Sequence, residues 1–329
     1  MMGEGVNVPK LSVNVEAKKI IEKMIENREM LNIKVEKTSS GATIIDAGVE
    51  VKGGLLAGKF VTEVCLGGLG EAQLTQMPFG DVELPTIFVA TDHPAVSTLG
   101  SQFAGWRIKV GKYFGMGSGP ARALSLKPKK LYEEIEYEDK ADVAVIVLES
   151  DEKPTEEALK YIAEECNVSI ENVYAVVTPT SSIAGSVQIS GRVVETGIHK
   201  ISEVSFDPKK ILYASGYAPI APVHPKSIKA MGRTNDMILY GGVVKLIVEH
   251  DDDEKLKEYV AKVPSCTSKD YGRPFYDIFK AAEFDFYKIS PDLFAPAKII
   301  VNNVKTGSTF VAGYVNTEVI QQSIKLQKL

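Results

Sequence analysis

A guanidinium, a carboxylate and an imidazole lie close together in the segment SGRVVETGIHK, residues 190–200. Arg192, Glu195 and His199 follow one another at intervals of three and four residues. On a helix this spacing places them along one edge, because successive residues turn by about 100°. A carboxylate beside a guanidinium and an imidazole could take a proton from water and give it to a leaving group.

A helix over residues 180–201 is expected to position these groups, with Ser181 or Ser182 as its cap. Its apolar side chains would form one stripe, made of Ile183, Val187, Val194, Ile198 and Ile201. Gln188 falls on the neighbouring polar stripe, which would then face the margin of a cleft. The alternative is a solvated face with a helical ion pair worth roughly 0.2–0.5 kcal/mol. Glycines at 185, 191 and 197 favour the cleft, since glycine costs a helix roughly 1 kcal/mol and allows close approach.

The segment GKYFGMGSGPARA, residues 111–123, is the second candidate site. A glycine-rich loop before a helix can bind an anion through its backbone N–H groups. We expect Gly117, Ser118 and Gly119 to do this, flanked by the cations Lys112 and Arg122. The segment lacks the Lys-Ser or Lys-Thr pair of a Walker loop and the third glycine of a dinucleotide fingerprint. A tight multi-glycine turn is the alternative.

The pair Asp92 and His93 in TDHP, residues 91–94, is a third candidate. An adjacent acid and imidazole could bind a substrate or move a proton. No third residue at a recognisable spacing completes a catalytic triad, so a turn is the alternative.

Composition excludes several classes of protein. A net charge of −5 over 329 residues argues against a nucleic-acid partner. No apolar run approaches the roughly 20 residues that span a bilayer. The three cysteines lack metal-type spacing and are expected to be reduced. Residues 1–10 have no apolar core typical of a signal peptide, so the predicted location is cytoplasmic.

The order of apolar runs predicts an α+β fold with two mixed domains that enclose a large pocket. Strand and helix patterns alternate without a sustained βαβ rhythm. The charged run KPKKLYEEIEYEDKA predicts a surface linker, and we place the domain boundary there. The predicted domains are 1–139 and 140–296. Residues 297–329 form a C-terminal hairpin that could complete the first domain.

Long stretches of the chain resemble methenyltetrahydromethanopterin cyclohydrolases, which are archaeal one-carbon enzymes. The stretches that carry the resemblance include GSVQISGRVVET, KYFGMGSGPARAL, TDHPA and KAMGRTND. Together the similar stretches span residues 11 to about 325.

The resemblance implies hydrolysis of the 5,10-methenyl-tetrahydromethanopterin cation to 5-formyl-tetrahydromethanopterin, reversible in the direction of methanogenesis. It implies no metal, no separate cofactor and a homotrimer. The essential carboxylate and its arginine partner correspond to Glu195 and Arg192. We expect Arg192 to hold the carboxylate through two donors.

The charged residues and the glycine loop suggest where such a substrate would bind. Gln188 and Gly191 are expected beside the pterin ring, and Lys112 and Arg122 beside the phosphate and carboxylates of its tail. Asp92 and His93 are further candidates for substrate contact.

One position departs from the family pattern. Some relatives carry a lysine in the GSQFAGW stretch, where this chain has Phe103. Two other functions stay open at this stage. One is a small-molecule kinase that binds ATP through the glycines of 115–119, and the other is a non-catalytic pterin-binding protein.

Overall fold

The structure is a computed structural model that describes residues 11–327. The prediction about a signal peptide concerns residues 1–10, which lie outside this range. Within it the strands are β1 Lys34–Lys37, β2 Thr43–Asp46, β3 Gly70–Phe79, β4 Val82–Thr91, β5 Trp106–Val110, β6 Tyr113–Ser118, β7 Ala144–Glu149, β8 Val173–Thr178, β9 Ile211–Pro219, β10 Val243–Val248, β11 Lys298–Asn303 and β12 Thr309–Gly313.

Helices occupy much of the remaining described chain. The α-helices are α1 Val13–Glu26, α2 Leu55–Cys65, α3 Ala121–Ser125, α4 Lys129–Ile135, α5 Glu156–Cys166, α6 Ile183–Ser190, α7 Val193–Glu203, α8 Ser227–Gly241, α9 Asp253–Ala261, α10 Phe275–Ala281 and α11 Thr317–Ile324. A π-helix spans Ala95–Gln102. Short 3₁₀ turns cover Ile170–Asn172, Pro208–Lys210, Ser265–Thr267, Phe286–Lys288 and Pro291–Leu293.

The strands form two six-stranded mixed sheets, which confirms the predicted α+β class. The first sheet has the order β1-β2-β8-β7-β6-β5, and β2, β8 and β7 run parallel. The second has the order β12-β11-β10-β9-β4-β3, and β10 and β11 run parallel. The other neighbouring strands are antiparallel.

The first sheet is covered by helices on both faces because its central strands are apolar on both sides. Along β7, Val145 and Val147 pack towards α1 and α2, whereas Ile146 and Leu148 pack towards α5. This alternation follows from the two-residue period of a strand. Helix α7 instead packs on the second sheet, where Val194 joins the core built on β4, β9 and β10. Helices α6 and α7 therefore lie where the two layers meet.

The predicted C-terminal hairpin forms from β11 and β12, and a second hairpin forms from β1 and β2, but the two lie in different sheets. In each hairpin the inner strand, β2 or β11, runs parallel to the next strand of its sheet. The C-terminal hairpin therefore extends the second sheet, while β1 and β2 belong to the first. Residues 1–139 contribute strands to both sheets, and the proposed domain limits stay a prediction.

The surface linker predicted for KPKKLYEEIEYEDKA is wrong. This segment contains α4, and Tyr132, Ile135 and Tyr137 are buried in the main core. Asp139 is also buried and accepts hydrogen bonds from the backbone N–H and the side-chain amide of Asn14. Burial of the two tyrosines and the isoleucine stabilises the segment more than solvation of the surrounding lysines and glutamates would. The segment therefore packs against α1.

Among residues 11–327, no helix combines the length and apolar character needed to cross a membrane.

Candidate active site

The predicted helix over 180–201 is two helices, and the break between them creates the site. Helix α6 ends at Ser190 and α7 begins at Val193. Gly191 allows close contact with α2, because a Cβ there would lie 2.5 Å from Cγ2 of Thr62. The break also frees the carbonyl of Gly191, which accepts a hydrogen bond from Nε2 of Gln102 at 3.1 Å. A regular helix would have used that carbonyl internally.

The guanidinium of Arg192 is fixed by three segments around this break. Nε donates to Oε1 of Gln188 at 3.1 Å, and Nη1 donates to the backbone carbonyl of Gln102 at 2.6 Å. Nη2 donates to Oγ of Ser118 at 2.8 Å and lies 3.8 Å from Sγ of Cys65. Hydrogen bonds from a charged donor are worth about 1.5–3 kcal/mol each, so the arginine has one strongly preferred position.

Glu195 lies one turn further along, and its carboxylate has no such partners. Its side chain is 7% exposed, and no described residue donates a hydrogen bond to it or forms an ion pair with it. Burial raises the pKa of this carboxyl above its usual range. The positive charges of His199, Arg192 and Arg122 oppose the rise without cancelling it.

The prediction that Arg192 grips the carboxylate of Glu195 through two donors is therefore wrong. All three guanidinium nitrogens donate elsewhere, to Gln188, Gln102 and Ser118. Arg192 acts on Glu195 as a fixed positive charge at a distance, which leaves the carboxylate oxygens free for another partner.

Phe103 lies between two of the cationic groups near Glu195. Its ring stacks on the imidazole of His199, with centroids 4.8 Å apart and planes 20° from parallel. The guanidinium of Arg122 lies 5.2 Å from the centre of the same ring. Arginine and aromatic rings attract through the ring quadrupole. Phe103 thus packs both groups in place without adding a charge of its own.

Arg122 is fully buried, so it does not face solvent as the prediction of a tail-binding residue required. Its Nε donates to the carbonyl of Lys127 at 2.8 Å. Its Nη1 donates to the carbonyls of Leu99 and Ser101, each at 3.1 Å. These bonds tie α3 to the π-helix that carries Gln102.

Lys112 is exposed and lies on the wall of an open cleft. The same cleft is lined by the acidic residues Glu149, Asp151 and Glu152. An anionic tail would meet three carboxylates there, so the surroundings of Lys112 do not favour its predicted role.

The predicted anion-binding loop is largely a strand. Gly117 and Ser118 pair with β7, and Gly117 also pairs with β5. The N–H of Gly119 donates to the carbonyl of Ser101 at 2.8 Å. Glycine is needed at 117 because a Cβ would lie 3.0 Å from the carbonyl oxygen of Trp106. The hydrogen bonds between these strands occupy backbone amides that a phosphate-binding loop would leave free.

Asp92 and His93 lie exposed in the turn between β4 and the π-helix. The N–H of His93 donates to Oγ1 of Thr91 at 3.1 Å, as in an ordinary polar turn. Their predicted role in substrate binding stays a prediction.

Gln102 and Cys65 lie in the site but were not predicted as site residues from the sequence. Gln102 is completely buried at the end of the π-helix, where the N–H of Phe103 donates to the carbonyl of Thr98, five residues back. Such π-turns occur often at functional sites. The residues before it, AVSTLGS, already include two serines and a threonine, so no local pattern marked Gln102 in the sequence.

Comparison with known proteins identifies the family of this chain. A family model described as Cyclohydrolase (MCH) matches residues 12–324. The chain belongs to this cyclohydrolase family. Within the family, the methenyltetrahydromethanopterin cyclohydrolase of Methanocaldococcus jannaschii is 52% identical over 317 residues, 95% of this chain and 98% of that protein.

Two further members of the MCH family carry the same name. The Methanothermobacter thermautotrophicus protein is 51% identical over 321 residues, which cover 96% of this chain and 100% of the relative. The Methanococcoides burtonii protein is 49% identical over 319 residues, 97% of this chain and 100% of the relative.

No group of three or more metal-ligating side chains gathers among residues 11–327.

Proposed function

We propose that this member of the MCH family hydrolyses the methenyl-tetrahydromethanopterin cation to 5-formyl-tetrahydromethanopterin. The observation that supports this most directly is the state of Glu195. Its carboxylate is buried, has no hydrogen-bond partner among the described residues and has a raised pKa. Such a group is suited to take a proton near neutral pH. The names of the relatives support the choice of substrate.

The proposed reaction begins with addition of water to the methenyl carbon. The oxygen of water forms the new C–O bond, and the C–N π electrons return to nitrogen, which removes the positive charge. One proton of the water passes to Glu195. The carbon is already electrophilic in the cation, so the enzyme needs only to place the water and accept its proton.

The second step opens the ring. Glu195 gives its proton to the leaving nitrogen as that C–N bond breaks. The hydroxyl becomes the formyl carbonyl, and its proton passes to Glu195 and then to solvent. The overall change is cation plus water to formyl product plus one proton, and each step is reversible.

Arg192 has a different role in this scheme from the one expected. Its bonds to Gln188, Gln102 and Ser118 keep it in place. Its charge limits the rise in the pKa of Glu195 that burial causes. A fixed cation also disfavours a second cation at the same point, so the substrate's charge is directed to the free carboxylate.

The two other functions have less support. Binding of ATP by residues 115–119 would require backbone amides that β5 and β7 already use. A carrier without activity would gain nothing from a buried, unpaired carboxylate, which is costly to keep charged. That the working form is a cytoplasmic homotrimer without metal or cofactor is also a proposal, resting on the family resemblance.

The test is the loss of the near-ultraviolet absorbance of the methenyl cation, measured with wild type and with Glu195→Gln. We expect rapid decay with wild type and at least about a 100-fold slower decay with the variant, because the amide cannot accept the proton. A folded variant that keeps full activity would contradict the role of Glu195. Decay no faster than buffer with wild type would contradict the proposed reaction.

A further inference from the structure

A pocket in the second layer, bounded by α8, α10 and α11, gathers basic side chains that the proposed reaction does not use. Its lining includes Lys229 and Arg233 of α8, Lys325 at the end of α11 and His224 in the loop before α8. Lys229 and Arg233 are four residues apart on one helix, and like charges at that spacing repel. Lys229 also lies in the first turn of α8, where the helix dipole disfavours a cation. Such a cluster is unfavourable unless an anion neutralises it.

The two lysines have no polar partner that would account for their positions. Nζ of Lys229 and Nζ of Lys325 form no hydrogen bond and no ion pair with any of residues 11–327. Lys229 lies over the ring of Tyr276, with Nζ 5.6 Å from the ring centre. The ring attracts the ammonium group but carries no charge that would neutralise it. Both ammonium groups are therefore available to a ligand in the pocket.

Arg233 is held in place but keeps free donors. Its Nη1 donates to the backbone carbonyls of Pro222 and Val223, each at 3.2 Å, and its Nη2 donates to the carbonyl of Ile324 at 3.4 Å. A guanidinium carries five N–H donors and these contacts use three, so two remain without a partner in the described chain. The carbonyl contacts orient the side chain in advance, which lowers the entropy cost of binding.

His224 adds a neutral donor to the same pocket. Its Nδ1 accepts a hydrogen bond from the N–H of Lys226 at 3.0 Å, so the proton of the neutral imidazole lies on Nε2. Loss of solvation and the positive charges of Arg233 and Lys229 lower the pKa of His224, which favours this neutral form. The Nε2–H group has no partner among the described residues.

Two acidic residues also line the pocket but do not pair with these cations. Asp236 directs its carboxylate to α10 and α11, where it accepts from the N–H of Phe275 and from Oγ of Ser323. Burial raises the pKa of Asp236 to about 7, so it is only partly charged at neutral pH. Asp277 is exposed, and no described cation forms an ion pair with it. The cations of the pocket are therefore not satisfied by ion pairs within the described chain.

We propose that this pocket binds an oxyanion, which is a phosphate or a carboxylate group. All of the free groups of the two lysines, Arg233 and His224 are donors. The oxygen atoms of a phosphate or carboxylate accept several such bonds, and hydrogen bonds between charged groups are the strong ones. The same oxygens occur in free inorganic phosphate and in the phosphate and carboxylates of the tail expected for the substrate. The experiment therefore has one arm for each source.

Helix α6 connects this pocket to the surroundings of Glu195. Oγ of Ser190 donates to the carbonyl of Pro219 at 2.8 Å, and Oγ of Ser186 donates to the carbonyl of Ala221 at 2.7 Å. The segment that leads to His224 therefore runs along α6, away from the break at Gly191. Since α6 has 8 residues, it is about 12 Å long. A substrate tail would have to follow this helix to reach the pocket, and this arm rests on the proposed function.

A double lysine variant tests the pocket without removing structural contacts. Lys229→Gln combined with Lys325→Gln removes two charges and no hydrogen bond within the described chain, so the fold should persist. The matched control is Lys255→Gln combined with Lys257→Gln, which removes two charges from exposed positions on α9. Lys255 also lies over a tyrosine ring, 5.7 Å from the centre of Tyr259. Circular dichroism and the midpoint of urea unfolding check the fold of both variants.

The first arm is isothermal titration calorimetry with inorganic phosphate at constant ionic strength. We expect wild type and the α9 control to bind phosphate equally, and the pocket variant to bind it at least about tenfold more weakly. The second arm measures KM and kcat from the decay of the methenyl cation's absorbance. If the tail is the ligand, the pocket variant should raise KM at least about tenfold while kcat stays within about twofold of wild type. Phosphate should then also compete with the substrate.

Two results would overturn the inference. One is the absence of any difference between wild type and the pocket variant in both arms. The other is an equal loss in the pocket variant and the α9 control, because general charge and not the pocket would then attract the anion. A loss of phosphate binding with an unchanged KM would support the pocket and identify free phosphate as its ligand. An inactive wild type would contradict the proposed function, and the phosphate arm would still decide this inference.

Discussion

At the scale of single residues, the site combines one fixed cation with one free anion. Arg192 donates to three partners, whereas Glu195 receives no hydrogen bond from the described residues. The two side chains were predicted as a direct pair because their spacing allows an ion pair on one helix. The break at Gly191 and the buried acceptors on other segments turn the guanidinium away from Glu195. The spacing of residues along a helix cannot reveal these contacts.

The pH dependence of the reaction should depend on His199. Glu195 acts as a base only when ionised, so the rate falls as the pH falls through its raised pKa. Among the charges that oppose this rise, His199 contributes most. We expect His199→Gln to move the acidic limb of the kcat/KM profile to higher pH, because a neutral side chain no longer favours the carboxylate.

His250→Gln is the matched control for this measurement. His250 also stacks on a phenylalanine, with its ring centroid 5.8 Å from that of Phe206, and it does not contribute to the pKa of Glu195. Its profile should follow wild type. Equal shifts in both variants, or none in His199→Gln, would contradict the electrostatic explanation.

At the scale of helices and strands, what the sequence predicted well was local. The apolar pattern of the chain predicted the C-terminal hairpin, because such a pattern depends on neighbours in the chain. The strand at 113–118 was predicted as a loop because Gly115 and Gly117 lack side chains to show alternation. Glycine fits at these two positions because atoms of other residues lie close by, such as the carbonyl oxygen of Trp106 beside Gly117. The local sequence does not reveal these contacts.

The contact between the helix break and α2 predicts a coupled effect on stability. In Gly191→Ala the new Cβ would lie 2.5 Å from Cγ2 and 2.7 Å from Oγ1 of Thr62. Overpacking of this kind costs about 1–3 kcal/mol of unfolding free energy. Thr62→Ala removes both atoms, so we expect the double variant to recover part of the loss.

Urea unfolding of the four proteins in this cycle gives the coupling free energy. The double variant should be more stable than the sum of the two single effects predicts. Strictly additive values would mean that α2 and the break do not meet at Thr62, contrary to the geometry.

At the scale of the whole molecule, a buried acid joins three helices of the second layer. Asp236 on α8 accepts from the N–H of Phe275 on α10 at 2.7 Å and from Oγ of Ser323 on α11 at 2.5 Å. Burial raises its pKa to about 7, and these hydrogen bonds only partly oppose the rise.

The contribution of Asp236 to the stability of the protein should therefore decline as the pH rises towards neutrality. The folded pKa of Asp236 exceeds the unfolded one, so its favourable contribution is complete at low pH and is lost as the pH rises through about 7. The loss is up to about 4 kcal/mol. Asp236→Asn, which cannot ionise, should flatten the dependence of unfolding free energy on pH between about 4 and 8.

Unfolding in urea at several pH values measures this difference. Glu318→Gln is a suitable comparison, because Glu318 is exposed on α11 and does not act on the pKa of Asp236. Identical profiles for wild type and Asp236→Asn across this range would contradict the assignment.

The interleaving of the two sheets also affects how the chain can fold during synthesis. Strand β4 ends at Thr91, whereas its partner β9 begins at Ile211. Strand β2, at residues 43–46, pairs with β8 at residues 173–178. Neither sheet can close while only the first 139 residues have left the ribosome. The apolar faces of the early strands therefore stay open to aggregation until the second half of the chain arrives.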